Sequence, residues 1–135
     1  MIETQRHKGT EVDNALTYKI IGAAIDVHRA LGGPGLLESI YESALCHELA
    51  LQGLKIQSQV PVEVRYKDAR IRAPLMLDIL VENRIIIEVK ATEKENRIHE
   101  VQLLTYLRLT GLQLGLVINF GSPQVKNGIK RVING

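Results

Sequence analysis

Residues 75–90 read LMLDILVENRIIIEVK, two apolar runs interrupted at Glu82-Asn83-Arg84. Each run is rich in Ile, Val and Leu, and each reads as a strand buried on both faces. Three charges break the pattern: Asp78 in the first run, then Glu88 and Lys90 at the end of the second. A charge inside a buried strand is strongly unfavourable unless it is paired or holds a metal. Strand side chains alternate, so Glu88 and Lys90 share a face. Two acids and a lysine converging at one end of a hairpin suit phosphodiester chemistry with a divalent metal. The carboxylates are hard oxygen ligands for the ion, and the lysine orients a water or offsets phosphate charge.

The spacing carries a constraint. With a two-residue turn at Asn83-Arg84, Ile79 would oppose Glu88 and Asp78 would lie on the other face. For the two carboxylates to share a face, the connection needs an odd number of residues or one strand needs a bulge. The spacing therefore predicts Glu82-Asn83-Arg84 as a three-residue loop, with Asn83 accepting positive φ.

From about Asn14 to Leu31, apolar residues recur at Leu16, Ile20, Ala24, Val27 and Leu31, a helix with a broad apolar face. Asp13 and Thr17 are alternative caps for its start, and residues 1–12 read as a loose polar tail. Gly32-Gly33-Pro34-Gly35 ends the helix. A second helix is expected from about Leu37 to Gln52, on a line of Leu37, Ile40, Tyr41, Ala44, Leu45 and Leu49, closed by Gly53. Ile56, Val60, Val62, Val64 and Tyr66 then alternate with polar residues, as one strand or as two split at Pro61. Arg65, Lys67, Arg70 and Arg72 make the next turn the most basic local segment. It is read either as a solvated, charge-protected edge or as a phosphate-tracking patch. After the 75–90 hairpin come a charged loop, a third helix over about Ile98 to Thr110, and an apolar strand, Leu114 to Phe120. Strand, helix and strand from Ile85 to Phe120 read as a parallel crossover, and Gly128 to Asn134 adds a short last strand. The expected class is α/β, a mixed central sheet flanked by helices with the order αβββαβ behind an extra N-terminal helix.

Asp78 followed by Glu88-Val89-Lys90 resembles the D…(D/E)-x-K signature of the PD-(D/E)XK nuclease superfamily. Gly35-Leu-Leu-Glu38-Ser-Ile-Tyr41 is similar to the G-x-x-E-x-x-Y motif of the GxxExxY proteins of that superfamily. The similarity extends over residues 20–28, Gln102-Leu-Leu-Thr-Tyr106 and Asn119-Phe-Gly121, from about Leu16 to Asn134. The resemblance implies a restriction-endonuclease-like fold and cleavage of nucleic acid, DNA favoured, with Mg²⁺ or Mn²⁺ and a 5′-phosphate product. It implies Asp78 and Glu88 as metal ligands, Glu38 as a further metal-site acid, the Val89 carbonyl as a possible completion of the shell, and Lys90 and Gln102 as catalytic. Gly35, Tyr41 and Tyr106 are implied as substrate contacts.

Each residue also has a plainer role. Glu38 can be a carboxylate favoured by the helix dipole. Tyr41 can hydrogen-bond Glu38 or be core with its hydroxyl satisfied. Gln102 and Tyr106 can be a polar surface pair. His28 can be a packed helix residue or a support behind the metal site. His99 and Glu100 read as surface, and Cys46 as a small buried hydrophobe.

The chain's bounds narrow the function. At 135 residues it reads as one domain over 13–135. A net charge of +2 gives no polycationic signal, so nucleic-acid contact needs a local patch. One cysteine excludes an intrachain disulfide and a cysteine-held zinc or iron–sulfur centre within one subunit. Aromatics at 4% with no Trp offer no base-stacking platform. No signal segment or membrane span is visible, which makes cytoplasm the expectation. The expected function is a divalent-metal nuclease, with a homodimer as the expected way to span a duplex. The alternative is a catalytically inactive nucleic-acid-binding or adaptor domain on the same fold.

Overall fold

The computed structural model describes the backbone of residues 2–135 and the side chains from residue 11 onward. Helix α1 spans Ile2–Ala30 and α2 spans Glu38–Leu51. Strand β1 is Ile56–Val62, a small pair β2 (Arg65–Tyr66) and β3 (Ala69–Arg70) follows, and then β4 (Leu75–Val81) and β5 (Ile85–Lys90). Helix α3 is Ile98–Thr110, β6 is Leu114–Asn119, and a short 3₁₀ turn leads into β7, Ile129–Ile133. The five-stranded sheet runs β1-β4-β5-β6-β7, with β5 and β6 parallel and the other neighbours antiparallel. This is the mixed, helix-flanked sheet expected from the sequence, and the parallel crossover falls where the apolar runs placed it.

The helix pattern has a physical cause at each end. Gly32 and Gly33 take φ of 87° and 89°, a left-handed backbone that side chains resist, so α1 stops there. Gly53 (φ 80°) and Gly111 (φ 73°) do the same for α2 and α3. The start of α1 differs from expectation. Asp13 and Thr17 lie inside the helix, so neither caps it. Asp13 instead pairs with Arg84 of the β4–β5 turn at 3.0 Å. The backbone of residues 2–12, expected as a loose tail, belongs to α1 instead; the side chains of residues 1–10 lie outside those described.

Two apolar clusters sandwich the sheet. α1 and α2 supply Ile20, Val27, Tyr41, Leu45 and Leu49 to one face, against Ile79, Ile87, Val89 and Phe120. α3 supplies Leu103 and Leu107 to the other, against Leu77, Ile86 and Val117. Leu37 and Ile40, expected in the apolar line of α2, are exposed instead. The helix turns them away from the sheet at its free N-terminal end.

Pro61 sits within β1 rather than splitting it, because β1 is an edge strand whose outer side needs no N–H donor. The sheet changes facing at one level. Leu77 belongs to the α3 side and Ile79 to the α1/α2 side, so β4 turns over at Asp78. On β1 the residue at that level, Gln59, takes φ 51°. The β4–β5 ladder also ends there, at Ile79↔Ile87.

Candidate active site

The three-residue loop exists as the spacing predicts. Val81 pairs with Ile85, and residues 82–84 join them, closed by the Arg84 N–H on the Val81 carbonyl at 2.9 Å. Asn83 has φ 54°, and Glu82 takes 53° as well. The Glu82 carboxylate accepts from the Lys55 N–H at 2.5 Å, which ties the loop to the start of β1. The register Ile79↔Ile87, carried one step further, brings Asp78 opposite Glu88.

At that step the side chains replace the ladder. Asp78 Oδ2 accepts from the Val89 N–H at 2.8 Å, and the Asp78 N–H points at Glu88 Oε1 at 3.5 Å. The strands have parted, and two carboxylates fill the gap. Glu88 is only 5% exposed and has no ion pair among the described residues. Burial pushes its carboxyl up to about 9, and the charge and side-chain hydrogen bond of Asp78 act the same way, against the Asp78 backbone N–H and the milder pull of Lys90. The metal-free site therefore keeps a proton on Glu88 at neutral pH.

Two further elements, α2 and α3, flank this pair. Glu38, in the first turn of α2, is within electrostatic reach of Lys90 and Asp78. Partial desolvation in the cleft raises its carboxyl, Lys90 lowers it, and Asp78 raises it again. Tyr106 of α3 is half-buried. Its phenol is raised by burial and then by the charges of Glu88 and Asp78, while Arg72 opposes them. His99, expected at the surface, is partly buried with its Nδ1 enclosed and unpartnered, and burial and Lys90 both lower it. Its position at the start of α3 turns it inward, beside the end of β5. Gln102 is exposed and is brought into no recorded contact with the carboxylates.

Tyr41 has a different role from the one expected. It is fully buried, and its hydroxyl donates to the Gly33 carbonyl at 2.6 Å and accepts from the Leu36 N–H at 3.2 Å. Neither a substrate contact nor a bond to Glu38 fits that geometry. Tyr41 pins the glycine loop that delivers Glu38, and its ring stacks on Phe120 at 4.7 Å. Gly35 (φ 117°) belongs to that loop and lines a groove with Ala91 and Gly121 just beyond Lys90.

Sequence reasoning assigned no role to three supports. Asn119, buried at the end of β6, accepts from the Thr92 and Gly121 N–H groups at 3.0 and 2.9 Å and donates to the Thr92 carbonyl at 3.0 Å. It clamps the chain just after Lys90. Gly121 makes the clamp possible, since a Cβ there would meet the Thr92 oxygen at 2.2 Å. Glu42, one helical turn after Glu38, accepts from Gln59 at 2.8 Å. Its carboxyl is raised by desolvation, against the Gln59 hydrogen bond, with Asp78 and Glu38 adding to the rise. The Asn-Phe-Gly run is the sequence signal for the clamp, and the i, i+4 acid is the signal for Glu42. His28 is a support too: its Nε2 lies 3.1 Å from the Phe120 carbonyl and holds the same strand end. Cys46 is partly buried, and desolvation followed by the Glu42 and Asp78 charges pushes its thiol up to about 11, which leaves it a poor nucleophile.

A mixed sheet between helices, parted at one end around two carboxylates and a lysine, defines the restriction-endonuclease-like class. A family model of the PD-(D/E)XK nuclease superfamily matches residues 14–132, and the chain belongs to that superfamily. Neither the curated proteins nor the solved structures return a match. Nucleases of this superfamily generally use divalent metals. Among the described residues no helix is long and apolar enough to cross a membrane.

The donor set fits such an ion. Among the described residues no three His, Cys, Asp or Glu side chains converge as a ready-made cage. Mg²⁺ does not need one, because it is commonly held by one or two carboxylates, its own waters and substrate phosphate. A buried carboxylate beside a second one, without a cationic partner, is the chemistry that such an ion relieves.

Proposed function

We propose that this protein is a divalent-metal nuclease that hydrolyses phosphodiester bonds in nucleic acid, DNA favoured, with residues 13–135 acting as one domain. The observation that carries this reading is the Asp78–Glu88 pair opposed in the parted β4–β5 hairpin, two residues from Lys90. Asp78 and Glu88 would hold Mg²⁺ or Mn²⁺. The Val89 N–H points into the same gap, and a strand residue's carbonyl lies on the same side as its N–H, so the Val89 carbonyl is the natural third donor. Glu38 is a further acid within electrostatic reach of Asp78. When bound, the ion neutralises phosphate charge and lowers the pKa of a water.

The chain's own groups do the rest. Lys90 makes no ion pair among the described residues and stabilises the charge that develops on the phosphate oxygens. Tyr106 offers a neutral O–H donor to a substrate oxygen, and Gln102, one turn earlier on α3 and exposed, is free to contact the substrate backbone. The segment Gly35–Tyr41 supports placing the chain among the GxxExxY proteins, since its Gly, Glu and Tyr each have a distinct part in building the site.

The test is titration of Mn²⁺ by calorimetry, alongside cleavage of DNA and RNA substrates, for wild type and Glu88→Gln. Metal binding and cleavage lost together in Glu88→Gln support the nuclease. Nucleic-acid binding without metal-dependent cleavage by the wild type would mark an inactive binding or adaptor domain instead.

A further inference from the structure

The charge of the chain is unevenly placed. It has 17 cationic and 15 anionic residues. Residues 63–72 hold Arg65, Lys67, Arg70 and Arg72 against Glu63 and Asp68, so the remainder is balanced and the whole excess lies in this segment. The segment is also structurally apart. β2 and β3 pair only with each other, outside the main sheet. Lys67 and Asp68 turn the chain with φ of 49° and 67°. Arg65 braces the turn, its Nη1 donating to the Asp68 carbonyl at 2.9 Å, and Lys67 lies 5.4 Å from the centre of the Tyr66 ring. Every residue from Arg65 to Ala73 is exposed, including Tyr66 and Ile71.

The arm is not remote from the cleft. Its base runs into β4, which carries Asp78, and Arg72 is close enough to Tyr106 to act on its phenol together with Asp78 and Glu88. Arg65 and Arg70 are partly occupied by Glu63, at 3.2 and 3.8 Å. Lys67 at the tip and Arg72 at the base make no ion pair among the described residues. Free cations thus stand at the exposed tip and at the base, where the arm enters the strand that carries Asp78.

We infer that the β2–β3 arm grips the phosphate backbone of double-stranded DNA and seats the duplex across the Asp78–Glu88 cleft. This rests on the nuclease reading of that cleft. A two-stranded ribbon fits the major groove of B-form DNA, whereas the deep, narrow major groove of an RNA helix excludes it. A single exposed tyrosine on the arm, in a chain without Trp, gives no platform for stacked single-strand bases. The arm's cations release counterions on binding, so affinity should carry its salt signature.

The experiment is fluorescence anisotropy with a labelled blunt DNA duplex in EDTA across a salt series. It compares wild type, the triple variant Lys67→Ala/Arg70→Ala/Arg72→Ala, and Lys19→Ala/Lys55→Ala/Lys126→Ala, which removes equal charge elsewhere. All three should melt at similar temperatures. The arm variant should bind at least about tenfold more weakly, with its log–log salt slope smaller by roughly two to three, while the control keeps most of the wild-type slope. No duplex binding by the wild type, equal losses in the two triple variants, or equal wild-type affinity for single strands or duplex RNA would each overturn the inference. Loss of metal-dependent cleavage as a property of the protein, with the arm's binding effect intact, would instead overturn the nuclease reading alone.

Discussion

Asn119 and Glu88 occupy adjoining strands and are almost equally buried, at 6% and 5% exposed. Their surroundings are opposite. The Asn119 amide is saturated, with two N–H groups on its oxygen and a carbonyl on its nitrogen. Glu88 faces another carboxylate and makes no ion pair among the described residues, with Lys90 exerting only a weaker pull. A buried polar group whose partners are all supplied by the chain is a strut. One whose partners are missing is a socket, and the fold bears its cost for what it will hold.

The sharpest way to break the comparison is Glu88→Gln. It should lower metal-dependent cleavage by at least about a thousandfold, because a metal ligand and its charge are lost. The same change should stabilise the metal-free fold at alkaline pH. Glu88 has a folded pKa raised above its unfolded value, so between about 4.5 and about 9 the native state binds the extra proton and stability falls as pH rises. Gln removes that loss. Thermal melts in EDTA at about pH 8 should show a gain on the order of 1–3 kcal/mol. A loss there would mean that Glu88 is structural.

Asn119→Ala should do the reverse. It strands the Thr92 and Gly121 backbone groups and should cost about 2–4 kcal/mol in chemical denaturation, with metal binding weakened only through the loosened end of β5. The proton on Glu88 sets a third expectation. Metal must displace it, so the Mn²⁺ dissociation constant should fall with rising pH, by up to about tenfold per unit between roughly pH 6 and 8. Calorimetry of the wild type in two buffers of different ionisation enthalpy would count the released protons, and a count of zero would show that Glu88 gives up none. The smallest effect should come from Tyr41→Phe. Losing two hydrogen bonds to the glycine loop should cost about 1 kcal/mol and lower cleavage a few-fold by loosening Glu38.

The legible part of this molecule was whatever is decided locally. Apolar runs gave β4, β5 and β6, glycines at 53 and 111 closed α2 and α3, and the parity of the 82–84 loop put two carboxylates on one face. What the sequence did not show depends on chain segments meeting across long separations. Tyr41 could be placed on the right face of α2, but only the fold shows that Gly33 and Leu36 curl back onto its hydroxyl. Asn119 was legible as part of a motif and not as a clamp, because Thr92 reaches it only through the parallel crossover. His99 looked like surface because α3 begins with polar residues, yet the helix start is tucked against the end of β5. Asp13 had a capping residue's chemistry and turned out to lie within a helix that starts earlier, engaged with Arg84.

The 82–84 loop has a consequence best put in genetic terms. Its three codons encode exposed or half-exposed polar residues, the kind of site where substitutions are usually tolerated. Changes of identity should be mild at Arg84, and at Asn83 wherever the new residue accepts its positive φ. Even loss of one loop codon leaves Val81 opposite Ile85 across a two-residue turn, and so keeps Asp78 opposite Glu88. Loss of one codon from 79–81 or 85–87 is another matter. It preserves the reading frame and the loop, but moves Asp78 one step against Glu88 and turns the two carboxylates to opposite faces. Insertion of one codon there would do the same, and a matching change in the facing arm would be the suppressor to look for. A hairpin that forgives its turn but not an unmatched arm is, for this protein, the narrowest part of its evolutionary path.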